Sequence, residues 1–368
     1  MSGRTIRAAV MRAPHTPISI EELAWPVLTP GSAMLRTMYS EVCGTDVHLH
    51  HGRLSGVPYP IVPGHVSVGH LDEIHGTIND LNGVPFREGD LVTFLDVHET
   101  CGACYECLVT KQTTRCPHRK VYGITYGVND GPLGGWADHI WMKPGVKLLR
   151  IPDGMDPSKF IAGGCGLVTA LHAVERGAIK LGASVAVLGV GPVGQASIAL
   201  AALSGAHPVI AVGAPHSRLD FALRMGATRT VSLDMPPAER ADAVRAANGG
   251  RGVDVVIEAA GDPRAVADAL EMVRDGGVVV VAGQYTDAGD LTLNPHRQIN
   301  RKHVEIRGCW GCDYSHFHRA LQVLAHQGAS LPWIDAVSAR YSLDEANAAL
   351  AAVANRDVIK ALIVPNER

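Results

Sequence analysis

The sequence predicts an α/β protein: an irregular β-rich domain joined to a doubly wound, parallel-sheet domain. Three observations carry this. Up to about residue 150 the chain holds short β-like runs broken by Gly and Pro, among them LVTFL at 91–95, GGWADHIWM at 134–142 and VKLLRIP at 146–152. That texture suits an irregular β domain. After PDGMDPSKF (152–160), apolar runs such as SVAVLG, PVIAVG, VDVVIEAAG and GVVVVAG alternate with helical patterns. Continuous apolar strands between helices indicate a parallel sheet covered on both faces. Finally, Gly189-x-Gly191-x-x-Gly194 stands between an apolar strand and a helical run.

The remaining elements follow in order. VEIRGC (304–309) reads as a further strand, YSLDEANAALAAV (341–353) as a capped helix and VIKALIV (358–364) as a closing strand. The expected layout is residues 1–165 as a first domain, 166–312 as the inserted parallel-sheet domain, and 313–368 returning to the first.

A chain of 368 residues is long enough for two ordinary domains. A net charge of −3 without a Lys/Arg-rich run argues against nucleic acid and anionic membrane as partners. The start, MSGRTIRAAVMRAPHTP, has no apolar core and no small-residue cleavage site, so a cytoplasmic location is expected. No Asp, Glu, Lys or Arg occurs between Lys180 and Arg218. Gly and Pro break that stretch, and its one helix, from about Pro192 to Ser204, would reach only ~20 Å, too short to cross a bilayer.

The glycines of the 189–194 turn allow close approach of a pyrophosphate, and the free N–H groups at the start of the following helix favour its charge. Gly189, Gly191, Pro192, Val193 and Gly194 are therefore candidate cofactor-binding positions. An acidic residue about 20 positions on would hold the adenosine ribose of NAD. Here the strand ends in Val212-Gly213, followed by Ala214, Pro215, His216, Ser217 and Arg218. Gly213 and Arg218 are candidates for the adenosine end. Without the carboxylate nothing repels a 2′-phosphate, which leans toward NADP or loose discrimination. The plainer reading of Arg218 is packing on the adenine face.

Cys101-x2-Cys104-x2-Cys107-x8-Cys116 places four thiols within sixteen residues. Four thiolates can enclose one tetrahedral Zn²⁺ with no open position, which makes such a site structural. An iron–sulfur cluster or disulfides are the competing readings. Closed four-thiolate sites favour zinc.

With CGTDVH at 43–48, PGHVSVGH at 63–70, GGCGLVTA at 163–170 and GVGPVG at 189–194, the chain resembles the zinc-dependent alcohol dehydrogenases of the medium-chain dehydrogenase/reductase superfamily over essentially its full length. The resemblance implies a GroES-like irregular β-barrel catalytic domain, a Rossmann domain, two Zn²⁺ per chain, NADP or NAD, and a small alcohol or carbonyl substrate. It also implies a homodimer or homotetramer built through the nucleotide-binding domains. Cys43, His65 and Cys165 correspond to the catalytic zinc ligands, leaving the fourth position for water or substrate. Asp46 matches the carboxylate that orients the ligating His. Thr45 and His48 match a proton relay from the substrate hydroxyl, by way of the cofactor ribose, to solvent. Thr169 matches a residue packing on the nicotinamide, and Lys360 a basic position reaching the cofactor phosphates. The plainer reading of Lys360 is a solvated strand end.

The family carries Glu after the ligating His, and this chain has Val66. All three ligands survive, so zinc is expected to bind. With less negative charge nearby the metal is expected to stay a strong electrophile while ligand exchange slows. Cys309-x2-Cys312 supplies half a zinc site and reads better as two small residues near a domain junction. Val97, His98 and Trp136 are candidate pocket residues for a moderately bulky, partly polar secondary alcohol. A zinc-free quinone or enoyl reductase of the same superfamily, or a non-catalytic dinucleotide-binding protein, are the alternatives. The three ligands argue against the first and the Thr45/His48 relay against the second.

Overall fold

A computed structural model describes residues 3–367. The chain divides into two compact units. The first comprises Met1–Gly164, Asp313–Leu321 and Trp333–Arg368; the second comprises Cys165–Cys312 and Gln322–Pro332. The segment Gln322–Pro332 thus clusters with the second unit, whereas the sequence placed all of 313–368 with the first.

The first unit is built on a seven-stranded sheet whose long central strand, Ser32–Val42, pairs antiparallel with Ser67–His75, His139–Met142 and Lys360–Val364. Its core gathers Ile6, Met11, Leu49, Ile61, Trp136 and Ile363, all fully buried. The ladder between Ser32–Val42 and Ser67–His75 ends with Ser40 opposite Ser67. Cys43 leaves one strand and His65 enters the other just beyond that pair. Register alone therefore brings these residues, 22 positions apart, to the same edge of the sheet.

The second unit carries a six-stranded parallel sheet. Across it the strands lie in the order Arg229–Ser232, Val209–Gly213, Val185–Leu188, Val253–Glu258, Val273–Val281, Glu305–Gly308. Numbered by appearance this is 3-2-1-4-5-6, the doubly wound order that binds dinucleotides at the reversal beside strand 1. Val185–Leu188 and Val209–Gly213 are buried at every residue, as a sheet covered on both faces requires. The helix Pro192–Leu203 is buried from Gly194 to Ala201, which explains a run of Ala, Ile and Leu without charge. Among the described residues no helix is long and apolar enough to cross a membrane.

Candidate active site

Cys43 caps the short helix Gly44–His50. Its Sγ accepts the N–H of Thr45 at 3.3 Å, while Asp46 Oδ2 accepts the Cys43 N–H at 2.9 Å. This reciprocal cap fixes the thiolate and the polar helix face as one piece. His65 lies beside it, with Nε2 3.9 Å from Cys43 Sγ. The donor atoms of Cys43, His65 and Cys165 all lie within 4.8 Å of one another. Around one tetrahedral zinc a thiolate and an imidazole nitrogen stand about 3.6 Å apart, so two thiols and one imidazole at this spacing fit the ion. Burial by itself lowers the His65 pKa, but the neighbouring Cys43 thiolate and its hydrogen bond, with Asp46 and Asp96, outweigh burial and raise it to about 10.

The expected hydrogen bond from His65 Nδ1 to the Asp46 carboxylate is not made. Asp46 Oδ1 and His65 Nδ1 are both buried without a partner, while Asp46 Oδ2 accepts the Cys43 N–H. Asp46 acts on His65 through charge, and burial followed by the Cys43 thiolate pushes its own pKa well up. Asp96, which the sequence reading passed over, also bears on His65, and its pKa too is raised by burial. Only tertiary placement identifies it, since Asp96 belongs to no motif.

Thr45 and His48 sit three residues apart on the Gly44–His50 helix, so they share a face. His48 is half-buried; burial first, then Arg53, holds its pKa below the ordinary histidine value.

The four cysteines of the small lobe bring their sulfurs within 4.8 Å of one another, with Cys101 and Cys116 Sγ 3.6 Å apart. Sulfurs bound to one tetrahedral zinc are about 3.8 Å apart, so this set fits a closed site. The Ala103 N–H, foremost among several donors, lowers the Cys101 pKa to about 6. None of the eight cysteines is joined in a disulfide.

In the second unit Gly191 caps the Pro192–Leu203 helix, with Pro at its first turn. A Cβ on Gly194 would land on the Gly189 carbonyl oxygen, so Val193 and Gly194 stay tight on the turn. Gly213 has its own reason to be small: a Cβ there would strike the Val190 side chain. The missing ribose-binding carboxylate therefore has a steric counterpart in Val190. Gln195, unremarked in the sequence, is buried and donates through Nε2 to the carbonyls of Val190 (3.3 Å) and Arg218 (2.7 Å). It ties the Gly189–Gly194 turn to the His216–Arg224 helix. Glu258, at the end of Val253–Glu258, accepts the N–H groups of Ala260 and Gly261, both at 2.8 Å. Thr169 Oγ1 lies 3.8 Å from Cys312 Sγ, and His172 Nδ1 donates to Gly311 O at 2.7 Å. Cys309 is buried, which raises its pKa to about 12, and Cys309 and Cys312 join no metal-holding group among the described residues.

Three expectations need correction. Lys360 is not placed to hold cofactor phosphates. It is buried, it pairs with Glu41, and it donates to Ile161 O at 3.2 Å and Gly163 O at 3.1 Å. These contacts take up the three donors an ammonium has. Trp136 lines no pocket: it is fully buried in the core, with Nε1 donating to Glu41 O at 3.1 Å. His98 cannot offer a ring nitrogen to substrate, because Nδ1 meets Tyr126 Oη at 2.7 Å and Nε2 meets Pro144 O at 3.0 Å. Val97 is buried next to it, and Val66 is buried too.

Comparison with known proteins agrees with this geometry. Residues 29–153 match the alcohol dehydrogenase GroES-like domain and residues 192–326 match the zinc-binding dehydrogenase family. The chain is 33% identical to a 5-exo-hydroxycamphor dehydrogenase of Pseudomonas putida over 97% of its own length and 98% of the relative's. An alcohol dehydrogenase from Thermotoga maritima superposes with a TM-score of 0.93 at 31% identity, covering 99% of this chain and 100% of that one. A zinc-binding dehydrogenase structure from Sinorhizobium meliloti, bound to NADP, gives 0.86 at 27% identity, covering 98% and 100%. With two thiols and an imidazole converging, four more thiols clustered in one lobe and a doubly wound parallel sheet, the chain belongs to the zinc-dependent alcohol dehydrogenases of the medium-chain dehydrogenase/reductase superfamily and is an NAD(P)-linked oxidoreductase.

Proposed function

We propose that this enzyme interconverts a bulky secondary alcohol and its ketone, prefers NADP, and works as a homodimer or homotetramer in the cytoplasm. The observation that carries the chemistry is the convergence of Cys43, His65 and Cys165 beside the helix bearing Thr45 and His48. The substrate class is supported by the relative named for 5-exo-hydroxycamphor, an alcohol on a ring carbon. Bound there, zinc would supply the positive charge that favours loss of the hydroxyl proton, and the nicotinamide cofactor would supply the hydride-accepting group.

The chain's own residues do the rest. Cys43, His65 and Cys165 hold the metal, and Asp46 adds charge behind His65. Thr45 Oγ1 takes up the substrate hydroxyl's hydrogen bond, and His48, one turn on, carries the proton toward solvent. The turn from Gly189 through Val193 to Gly194 cradles the pyrophosphate, and Thr169 backs the nicotinamide. Cys101, Cys104, Cys107 and Cys116 hold the structural zinc.

Because His48 has a lowered pKa, it stays a neutral acceptor below the ordinary histidine value of 6.5. The acid limb of kcat/KM for alcohol oxidation is therefore expected below pH 6.5. His48→Gln should lose that limb and about 10-fold in rate, less than direct proton transfer is worth. An unchanged pH profile in the variant would remove His48 from the relay.

NADP preference rests on Gly213, on the absence of a carboxylate at the strand end, and on His216, Ser217 and Arg218 at the start of the following helix. Arg218→Ala is expected to raise KM for NADP about 10-fold, the worth of one charge-assisted contact, with little change for NAD. Equal effects on both cofactors would mean that Arg218 only packs on adenine. The deciding assay is initial rates on cyclic secondary, linear secondary and primary alcohols with each cofactor. Faster turnover of primary alcohols would overturn the substrate class.

A further inference from the structure

We propose that Glu41, clamped to Lys360, is the positioning carboxylate of the catalytic metal site, standing in for the acidic residue absent at position 66. Beyond the opposed pair Ser40 and Ser67 the next positions are Glu41 and Val66, joined by the Glu41 N–H to Val66 O at 2.9 Å. Residues opposed across an antiparallel ladder point to the same face, with Cβ atoms about 5 Å apart. A carboxylate expected after His65 is thus present, carried by the neighbouring strand two residues before Cys43.

What Glu41 touches gives its role. Its carboxylate pairs with Lys360, and the side chains are 1% and 2% exposed. Lys360 in turn donates to the carbonyls of Ile161 and Gly163. The next residue, Gly164, has φ +48° and ψ −149°, and it breaks the Pro157–Gly177 helix just before Cys165. A kink of this kind frees helix carbonyls from their usual partners. Lys360 satisfies two of them, and Glu41 holds Lys360 there. A Cβ on Gly164 would land on the Glu41 carboxylate and the Lys360 ammonium, so the pair is packed against the kink itself. Replacing a buried ion pair by apolar groups of similar size is often neutral for stability. The specific effect of this pair is the fixed direction in which Cys165 leaves the kink to meet Cys43 and His65.

The inference rests on the reading that Cys43, His65 and Cys165 hold zinc, and the test separates the two. Zinc per chain and its release into a chromogenic chelator are measured for the whole protein, Glu41→Gln, and the double variant Glu41→Leu/Lys360→Met. The four-cysteine zinc serves as the internal sign that the chain is folded. Release of the second zinc is expected to quicken about 10- to 100-fold in both variants, the range seen when a partner behind a metal ligand is lost, while the four-cysteine zinc stays. If Glu41→Gln does not fold, the apolar double variant decides. A folded double variant that keeps both zincs at the wild-type release rate would overturn the proposal, since apolar filling would then replace the pair fully. A wild-type protein holding only the four-cysteine zinc would overturn the zinc reading itself, and the positioning role with it.

Discussion

His65→Ala is expected to hold one zinc per chain where the wild type holds two, and to lose about 10³-fold or more in kcat/KM for alcohol oxidation. The magnitude follows from the several kcal/mol that a metal contributes to charge stabilisation, at about 1.4 kcal/mol per decade of rate. The large effect has a structural cause. His65 is buried, and its Nε2 faces Cys43 Sγ at 3.9 Å. Removing the imidazole leaves two thiols with no third donor at the spacing zinc requires. Because the ring is not tied to Asp46 by a hydrogen bond, Asp46→Asn should cost much less than His65→Ala. Metal analysis with steady-state kinetics checks this. Two zincs and near-normal turnover in His65→Ala would exclude these residues as the catalytic centre.

Cys107→Ala is expected to lose the other zinc and, with it, the order of the lobe around residues 101–116. This lobe has little apolar packing to fall back on. Tyr105, Leu108 and Val109 are 64%, 54% and 60% exposed, and its helices are the single turns Tyr105–Leu108 and Thr113–Arg115. Structural zinc in such small lobes provides folding free energy directly, on the order of 10 kcal/mol in isolated zinc-binding peptides. The variant should therefore be cut by trypsin at Lys111 or Arg115 while the rest of the chain stays protected. Wild-type resistance to trypsin with a single zinc remaining would show that backbone contacts hold the lobe without its metal.

Much of this could be read along the chain because it depends on local spacing. The four-cysteine lobe is confined to sixteen residues, so its donor set is visible without a fold. The turn at Gly189–Gly194 and the alternation of apolar strands and helices are local in the same way, and they yield the parallel sheet directly. The catalytic ligands are different. Cys43, His65 and Cys165 are separated by 22 and 100 positions, and no periodicity links them. They were recognisable by resemblance to a family, not by spacing.

The long-range partners decided what resemblance left open or misplaced. Lys360 looked like a phosphate ligand, and pairing of Lys360–Val364 with Ser32–Val42 buries it against Glu41 instead. Trp136 and His98 looked like pocket residues, and the first unit closes over both. Asp96, Gln195 and Glu41 lie in no motif, yet each bears on a site element through the tertiary fold. A sequence fixes which donors and turns a segment can offer, since these follow from residue type and local geometry. Which polar group meets which depends on strand register and burial, and those are set only when distant segments pack and exclude water.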